Sequence, residues 1–370
     1  MRLHAGLGRF MLLAMTLTSF RSLGRSGLIV SPLCLGTMTM GTPRWGSADE
    51  VSEAIFNGFV DAGGNFIDTA DTYANGRSEE LIGGYVAARG LRERVVLATK
   101  FTMTCEAQKG NPNGSANGRK NMYRALDASL SRLKTDYIDL YWMHAWDTVT
   151  PAEEVLQSLG DVVRAGKIRY FGFSDVPAWY AAKVATLAQV HAVPGPIALQ
   201  LEYSLVERTI EREHVDCAKE FGMGITPWSP LASGFLAGKY KREDDGKGSG
   251  EGRLAVLSGG ANPVFHKYTE RNWKTLDALR EVAAEVGRPM AQVALAWAQG
   301  KRTVSSLIIG ATKMEQLHDN IASLEMALTA EQVAKLDAVS APELAHPYMF
   351  FEGMLRRERV FSGTDVVGWS

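Results

Sequence analysis

Val95-Val-Leu-Ala-Thr-Lys100 and, one helix-length segment later, Asp139-Leu-Tyr-Trp-Met-His144 decide how this chain folds. Each is a short apolar run closed by one polar residue, and the intervening residues 119–133 carry apolar positions at helical spacing. The same unit recurs outward in both directions. Strands are predicted at 33–35, 65–68, 95–99, 138–143, 168–172, 197–200, 224–226 and 305–309. Helices are predicted at 49–62, 78–89, 119–133, 152–165, 177–190, 211–221 and 273–286. Ser47 and Asp49 suit the start of the first helix, Pro151 starts another, and Gly90, Gly166 and Gly222 follow helix ends. Eight strands alternating with helices predict an α/β fold, a (β/α)8 TIM barrel, with residues 21–23 and 28–30 as an N-terminal hairpin plugging its bottom. A doubly wound open sheet is the competitor, but no G-x-G-x-x-G follows the first strand, where a dinucleotide site of that kind would need it.

The chain has 370 residues, so one large domain or two ordinary ones are possible. The barrel reading assigns 21–340 to one domain, 1–20 to an unstructured extension, and 341–370 to a segment packing near the active-site rim. The uncharged run from Phe10 to Phe20 is too short for a bilayer span of about 20 residues, and no A-x-A site follows it. An apolar content of 46% with 22% charge is that of a globular chain. A net charge of −1, from 40 basic and 41 acidic residues, argues against nucleic acid as a partner. Three dispersed cysteines, Cys34, Cys105 and Cys217, fit a reducing, cytoplasmic setting. The 37 glycines are a tenth of the chain against the usual ~7%, so the fold needs many tight turns or close approaches to a ligand. Seven of them fall in 238–272, a break in the rhythm after the seventh strand that reads as a long functional lid or a disordered loop. Others, at Gly172, Gly234 and Gly310, are expected near a ligand.

Asp68 and Tyr73 in Asn65-Phe-Ile-Asp-Thr-Ala-Asp-Thr-Tyr73, Lys100, and His144 all lie at C-terminal ends of strands, so a barrel gathers them on one rim. Together they make chemical sense. The Lys100 ammonium would favour the phenolate of Tyr73 and lower its pKa from ~10, Asp68 would hold that lysine, and a neutral His144 could polarise a carbonyl.

With these residues in place, the chain from about Leu23 to Ala338 resembles the aldo-keto reductase superfamily. The four residues match its catalytic tetrad in order, strand position and Asp-x-x-x-x-Tyr spacing. The resemblance implies reversible hydride transfer between a nicotinamide cofactor and an aldehyde or ketone, without metal, with Tyr73 as general acid/base and the 4-pro-R hydride transferred. It implies that Ser174, Asp175 and Gln200 meet the carboxamide. Asp175 stands where Asn is usual and cannot donate to the carboxamide oxygen. Trp228 would stack on the nicotinamide, Ser229, Leu231 and Ser233 would strap the pyrophosphate, and Gly310, Thr312, Lys313, Gln316 and Asn320 would hold the adenosine phosphate. Lys313, suited to a 2′-phosphate, favours NADP(H) over NAD(H). Met38, Trp45 and Trp146 are candidates for an apolar substrate pocket; Trp142, within a strand, fits core packing as well. The implied partner is a small carbonyl or alcohol. The alternative on the same fold is a cofactor-binding subunit of the potassium-channel beta type, with little turnover.

Overall fold

A computed structural model describes residues 15–42, 45–242, 253–351 and 355–366. Its first two strands, β1 (Arg21–Ser22) and β2 (Ile29–Val30), form the antiparallel hairpin. Eight parallel strands follow: β3 (Leu33–Gly36), β4 (Phe66–Asp68), β5 (Val96–Phe101), β6 (Ile138–Met143), β7 (Ile168–Ser174), β8 (Ala198–Gln200), β9 (Gly224–Ile225) and β10 (Leu307–Ile309). Their order in the sheet, β10-β3-β4-β5-β6-β7-β8-β9, is that of a barrel opened at one seam. A parallel bridge between Ile225 and Val304 spans the seam, and Ile308 N–H donates to the Pro227 carbonyl at 2.9 Å. The (β/α)8 reading therefore holds.

Helices α1 (Asp49–Asp61), α2 (Arg77–Ala88), α3 (Arg119–Leu133), α4 (Ala152–Arg164), α5 (Ala178–Val190) and α6 (His214–Phe221) lie between successive strands, within a few residues of their predicted bounds. Three details differ from the sequence reading. Ser47 does not cap α1; its hydroxyl pairs with that of Ser52 at 2.8 Å, and the acidic Asp49 and Glu50 face the helix dipole instead. The 238–272 segment is not structureless where it is described, since it holds α7 (Arg253–Leu257) and a 3-10 turn at Pro263–Phe265. Beyond α8 (Glu270–Val286) lies an unpredicted helix, α9 (Met290–Gln299), before β10. The chain then adds α10 (Met314–Ala322) and α11 (Ala330–Ser340). Among the described residues no helix is long and apolar enough to cross a membrane.

Strand parity divides the core in two. Cys34, Phe66, Val96, Ala98, Leu140, Trp142 and Ala198 fill the barrel interior, and Leu23, Leu28 and Val30 of the hairpin region close its lower end. Their sequence neighbours Leu35, Ile67, Leu97, Tyr141 and Leu199, and Phe173 on β7, point outward to the helices. Extending the inward series one step up each strand reaches Asp68, Lys100, His144, Ser174 and Gln200, which is why apolar strands deliver polar residues to one rim.

Both ends of the chain hold more contacts than composition suggests. Within the stretch read as an unstructured extension, Leu17 is buried and Met15 N–H donates to the Leu324 carbonyl at 2.7 Å; residues 1–14 lie outside the described residues. Past α11, the Tyr348 hydroxyl donates to Glu213 at 2.6 Å and Arg212 donates to the Glu343 carbonyl at 3.0 Å. The segment thus rests on the start of α6.

Gly172 has a different role from the ligand contact expected of it. It sits opposite Trp142 in the β6–β7 register, and a Cβ there would meet the indole at 2.4 Å and the Ala198 carbonyl at 2.6 Å. Trp142 is wholly buried in the barrel, so it is core and not pocket wall. Overpacking of this kind costs about 1–3 kcal/mol. Gly172→Ala should lower the unfolding free energy by roughly that amount in urea titration, whereas a neutral change would show that the indole has room to move.

Candidate active site

The site is built on the top edge of β4 and β5. Asp68 pairs with Ala98 across these strands, and Lys100 is two residues further along, on the same inward face. The Lys100 ammonium, with no solvent exposure, donates to the Asp68 carboxylate, to the Thr69 carbonyl at 2.8 Å and to the Tyr73 hydroxyl at 3.1 Å. Burial by itself would lower the pKa of this ammonium, but the charges and hydrogen bonds of Asp68 and Tyr73 outweigh it and hold the lysine above its ordinary value. Gln200 Nε2 donates to the other Asp68 oxygen at 2.9 Å. The chain turns sharply after Tyr73, with Ala74 at φ 48°, Asn75 at φ 55° and Gly76 at φ 93° before α2 begins.

Tyr73 departs from the expected direction of shift. Burial pushes its hydroxyl above the ordinary value, and Lys100 pulls against that push without reversing it. The His144 ring stands edge-on to Tyr73, with centroids 5.9 Å apart. Burial, helped by the Lys100 charge, brings the His144 pKa down to about 3, so the imidazole is neutral throughout the physiological range. Its Nδ1 has no hydrogen-bond partner.

A cavity of about 650 Å³ opens above these groups, with Asp68, Tyr73 and His144 in its wall. Lys100 is not in the wall; it lies behind Asp68 and Tyr73, which are. Also lining it are Ser174, Asp175, Gln200, Trp228, Ser229, Leu231, Ser233, Gly310, Thr312, Gln316 and Asn320, all singled out in sequence. Asp175, at φ 45°, accepts from Trp228 Nε1 at 3.1 Å, and its position in the site raises its carboxyl to about 6 through burial. Gln200 was expected to orient a carboxamide, yet its NH2 is engaged by Asp68, which leaves its oxygen for that purpose. Gln316 accepts from Thr312 N–H at 2.8 Å, and Asn320 donates to the Gly310 carbonyl at 3.2 Å, so both are latched to the loop after β10.

The groove suits a dinucleotide by its own geometry. Ser229, Ala232, Ser233 and Gly234 all have positive φ, at 53°, 49°, 56° and 90°, a run of left-handed residues of the sort that forms anion-binding concavities. A Cβ on Gly310 would meet nothing within 4 Å, so the wall is open there.

Besides Lys100, two sequence candidates fall outside the cavity wall. Lys313 is exposed at the start of α10, and Trp146 instead packs edge-on against Trp179 at 5.3 Å. Met38 and Trp45 do line the cavity. So do several residues the sequence reading missed, among them Met103, Lys239, Arg253, Phe265 and Asp319. Asp319 could have been found, since it is three residues from Gln316 on the same helix face. Arg253 could not: it lies in the aperiodic segment after β9, where its guanidinium covers Trp45 at 4.6 Å. That segment is tied down by Lys267, which pairs with Glu202 at 2.8 Å with both side chains nearly buried.

The aldo/keto reductase family matches residues 32–341, and the chain belongs to that family of oxidoreductases. It is 35% identical to a norsolorinic acid reductase of Emericella nidulans, over 90% of this chain and 84% of that one. It is 34% identical to an aryl-alcohol dehydrogenase (NADP+) of Phanerodontia chrysosporium, over 88% of this chain and 86% of the relative. A probable voltage-gated potassium channel subunit beta of Oryza sativa is 35% identical, over 89% of this chain and 99% of its own length.

Removing one partner of a buried ion pair leaves the other uncompensated, at a cost of about 3–5 kcal/mol. Lys100→Met should therefore lower the unfolding free energy by that amount in denaturant titration. A loss under about 1 kcal/mol would mean that Asp68 is satisfied by other groups.

Proposed function

We propose that this protein is an NADP(H)-dependent oxidoreductase that interconverts an aldehyde or ketone and the corresponding alcohol, with Tyr73 as general acid and base. The observation that carries the reading is the contact of 3.1 Å between the Tyr73 hydroxyl, at the cavity wall, and the fully buried Lys100 ammonium. In the reductive direction Tyr73 gives its proton to the carbonyl oxygen, and Lys100 stabilises the phenolate that remains. Asp68 keeps the lysine charged and in place. His144, neutral and adjacent, orients the carbonyl without competing as an acid. When bound, the nicotinamide supplies or accepts the hydride. Ser174, Asp175, Gln200 and Trp228 would hold that ring, the strap at 229–234 would take the pyrophosphate, and Lys313 would meet the 2′-phosphate.

The relatives' names support an aromatic carbonyl or alcohol as substrate, and Met38, Trp45, Met103 and Phe265 give the cavity an apolar wall suited to one. Three free cysteines are consistent with a cytoplasmic enzyme. The rice relative supports a second reading, a cofactor-binding subunit with little turnover. Steady-state oxidation of NADPH by aryl aldehydes separates the two: sustained turnover favours the enzyme, and tight binding without turnover favours the subunit.

Tyr73→Phe should cut carbonyl reduction by about 10²–10⁴-fold while NADPH affinity, read by fluorescence quenching, stays within about twofold. Loss of binding in place of turnover would remove Tyr73 from the acid's role. Lys313→Ala should weaken NADPH by about 5- to 100-fold and leave NADH unchanged; equal effects on both would remove the 2′-phosphate contact.

A further inference from the structure

His144 is unusual in what does not hold it. Its Nδ1 is buried without a partner, so no hydrogen bond to that nitrogen sets the ring's orientation. Apart from its edge-on packing against Tyr73, its position is set through its backbone, and that backbone is held by a loop from a different part of the chain.

Thr102, two residues beyond Lys100, has φ 110°, a conformation that a β-branched residue keeps only when its surroundings impose it. The Thr102 hydroxyl accepts from the His144 N–H at 3.2 Å, alongside the Phe101 carbonyl at 3.0 Å. The same hydroxyl donates to Asn117 Oδ1 at 2.5 Å. Asn117 Nδ2 donates to the Ala145 carbonyl at 2.9 Å, and the Asn117 N–H donates to the Asp147 carboxylate at 2.8 Å. Asn117 therefore grips both sides of His144, through Thr102 at residue 144 and directly at residue 145. It is 1% exposed and Thr102 is 6% exposed, and neither lines the cavity.

We propose that Thr102 and Asn117 form a positioning clamp that sets the His144 ring relative to Tyr73, the local strain at Thr102 being retained for that purpose. The proposal rests on the reductase reading above. A displacement of about 1 Å at a reacting group can cost about 10²-fold. Asn117→Ala should therefore lower kcat for 4-nitrobenzaldehyde reduction by about 10- to 100-fold, with the NADPH dissociation constant within about twofold of wild type.

A double-mutant cycle separates this role from a merely structural one. In a His144→Ala background, Asn117→Ala should cost less than about threefold, because the group it positions is gone. Equal losses in both backgrounds, or an unchanged kcat in Asn117→Ala alone, would overturn the clamp. If Asn117→Ala does not yield folded protein, Thr102→Val keeps the side-chain shape, removes both hydroxyl bonds and enters the same cycle with the same expected outcomes. If the wild-type protein reduces no carbonyl, the reductase reading fails, and hydrogen exchange at the His144 amide decides the clamp independently. Faster exchange in Asn117→Ala supports it, and an unchanged rate overturns it.

Discussion

The buried ion pair between Lys100 and Asp68 is the constraint on which the upper half of the barrel depends. An ammonium with no exposure to water is tolerated only if its charge and its three donors are all met, and here each has a partner: Asp68, the Thr69 carbonyl and the Tyr73 hydroxyl. Two partners come from β4 or the residue after it, and the third from the turn beyond. The requirement fixes how β5 meets β4, and where the chain must go after Asp68. It also supports the proposed chemistry, because an ammonium in contact with the phenol would stabilise the phenolate left by proton transfer.

The pair also explains an apparent conflict of directions. Tyr73 is pushed up by burial although a cation touches it, and His144 is pushed down by burial and by the same cation. Burial favours the neutral form of both, and on the proposed reading one is the proton donor and the other does not compete for the proton. In the proposed mechanism the acid and the orienting group are thereby kept distinct by burial and by one lysine.

Much of this was legible in the chain because parity is legible. Ala98 and Lys100, Trp142 and His144, Ala198 and Gln200 are pairs two apart, apolar first and polar second, and in a barrel that pattern has one outcome. Helix α3 was readable to the residue because its polar and apolar faces are separate. Helix α9 was not, since Met290-Ala-Gln-Val-Ala-Leu-Ala-Trp is apolar nearly all round and offers no stripe. Local spacing also misassigned Gly172 and Trp146. The first makes room for an indole on the neighbouring strand, and the second is drawn to Trp179 on another element. Arg253 and the bonds around Thr102 were hidden for a related reason: their meaning lies in contacts between loops, which no periodicity records. The direction of the Tyr73 shift needed the depth of burial, which composition does not give.

In the proposed reaction Tyr73, backed by Lys100, protonates a carbonyl oxygen while the carbonyl carbon would receive the 4-pro-R hydride of the nicotinamide. The most direct measurement is single-turnover reduction of an aryl aldehyde with NADPH deuterated at the 4-pro-R position, the alcohol being analysed by mass spectrometry. The account predicts one deuterium at the carbinol carbon. An alcohol without deuterium, or no alcohol from any aldehyde tried, would contradict it.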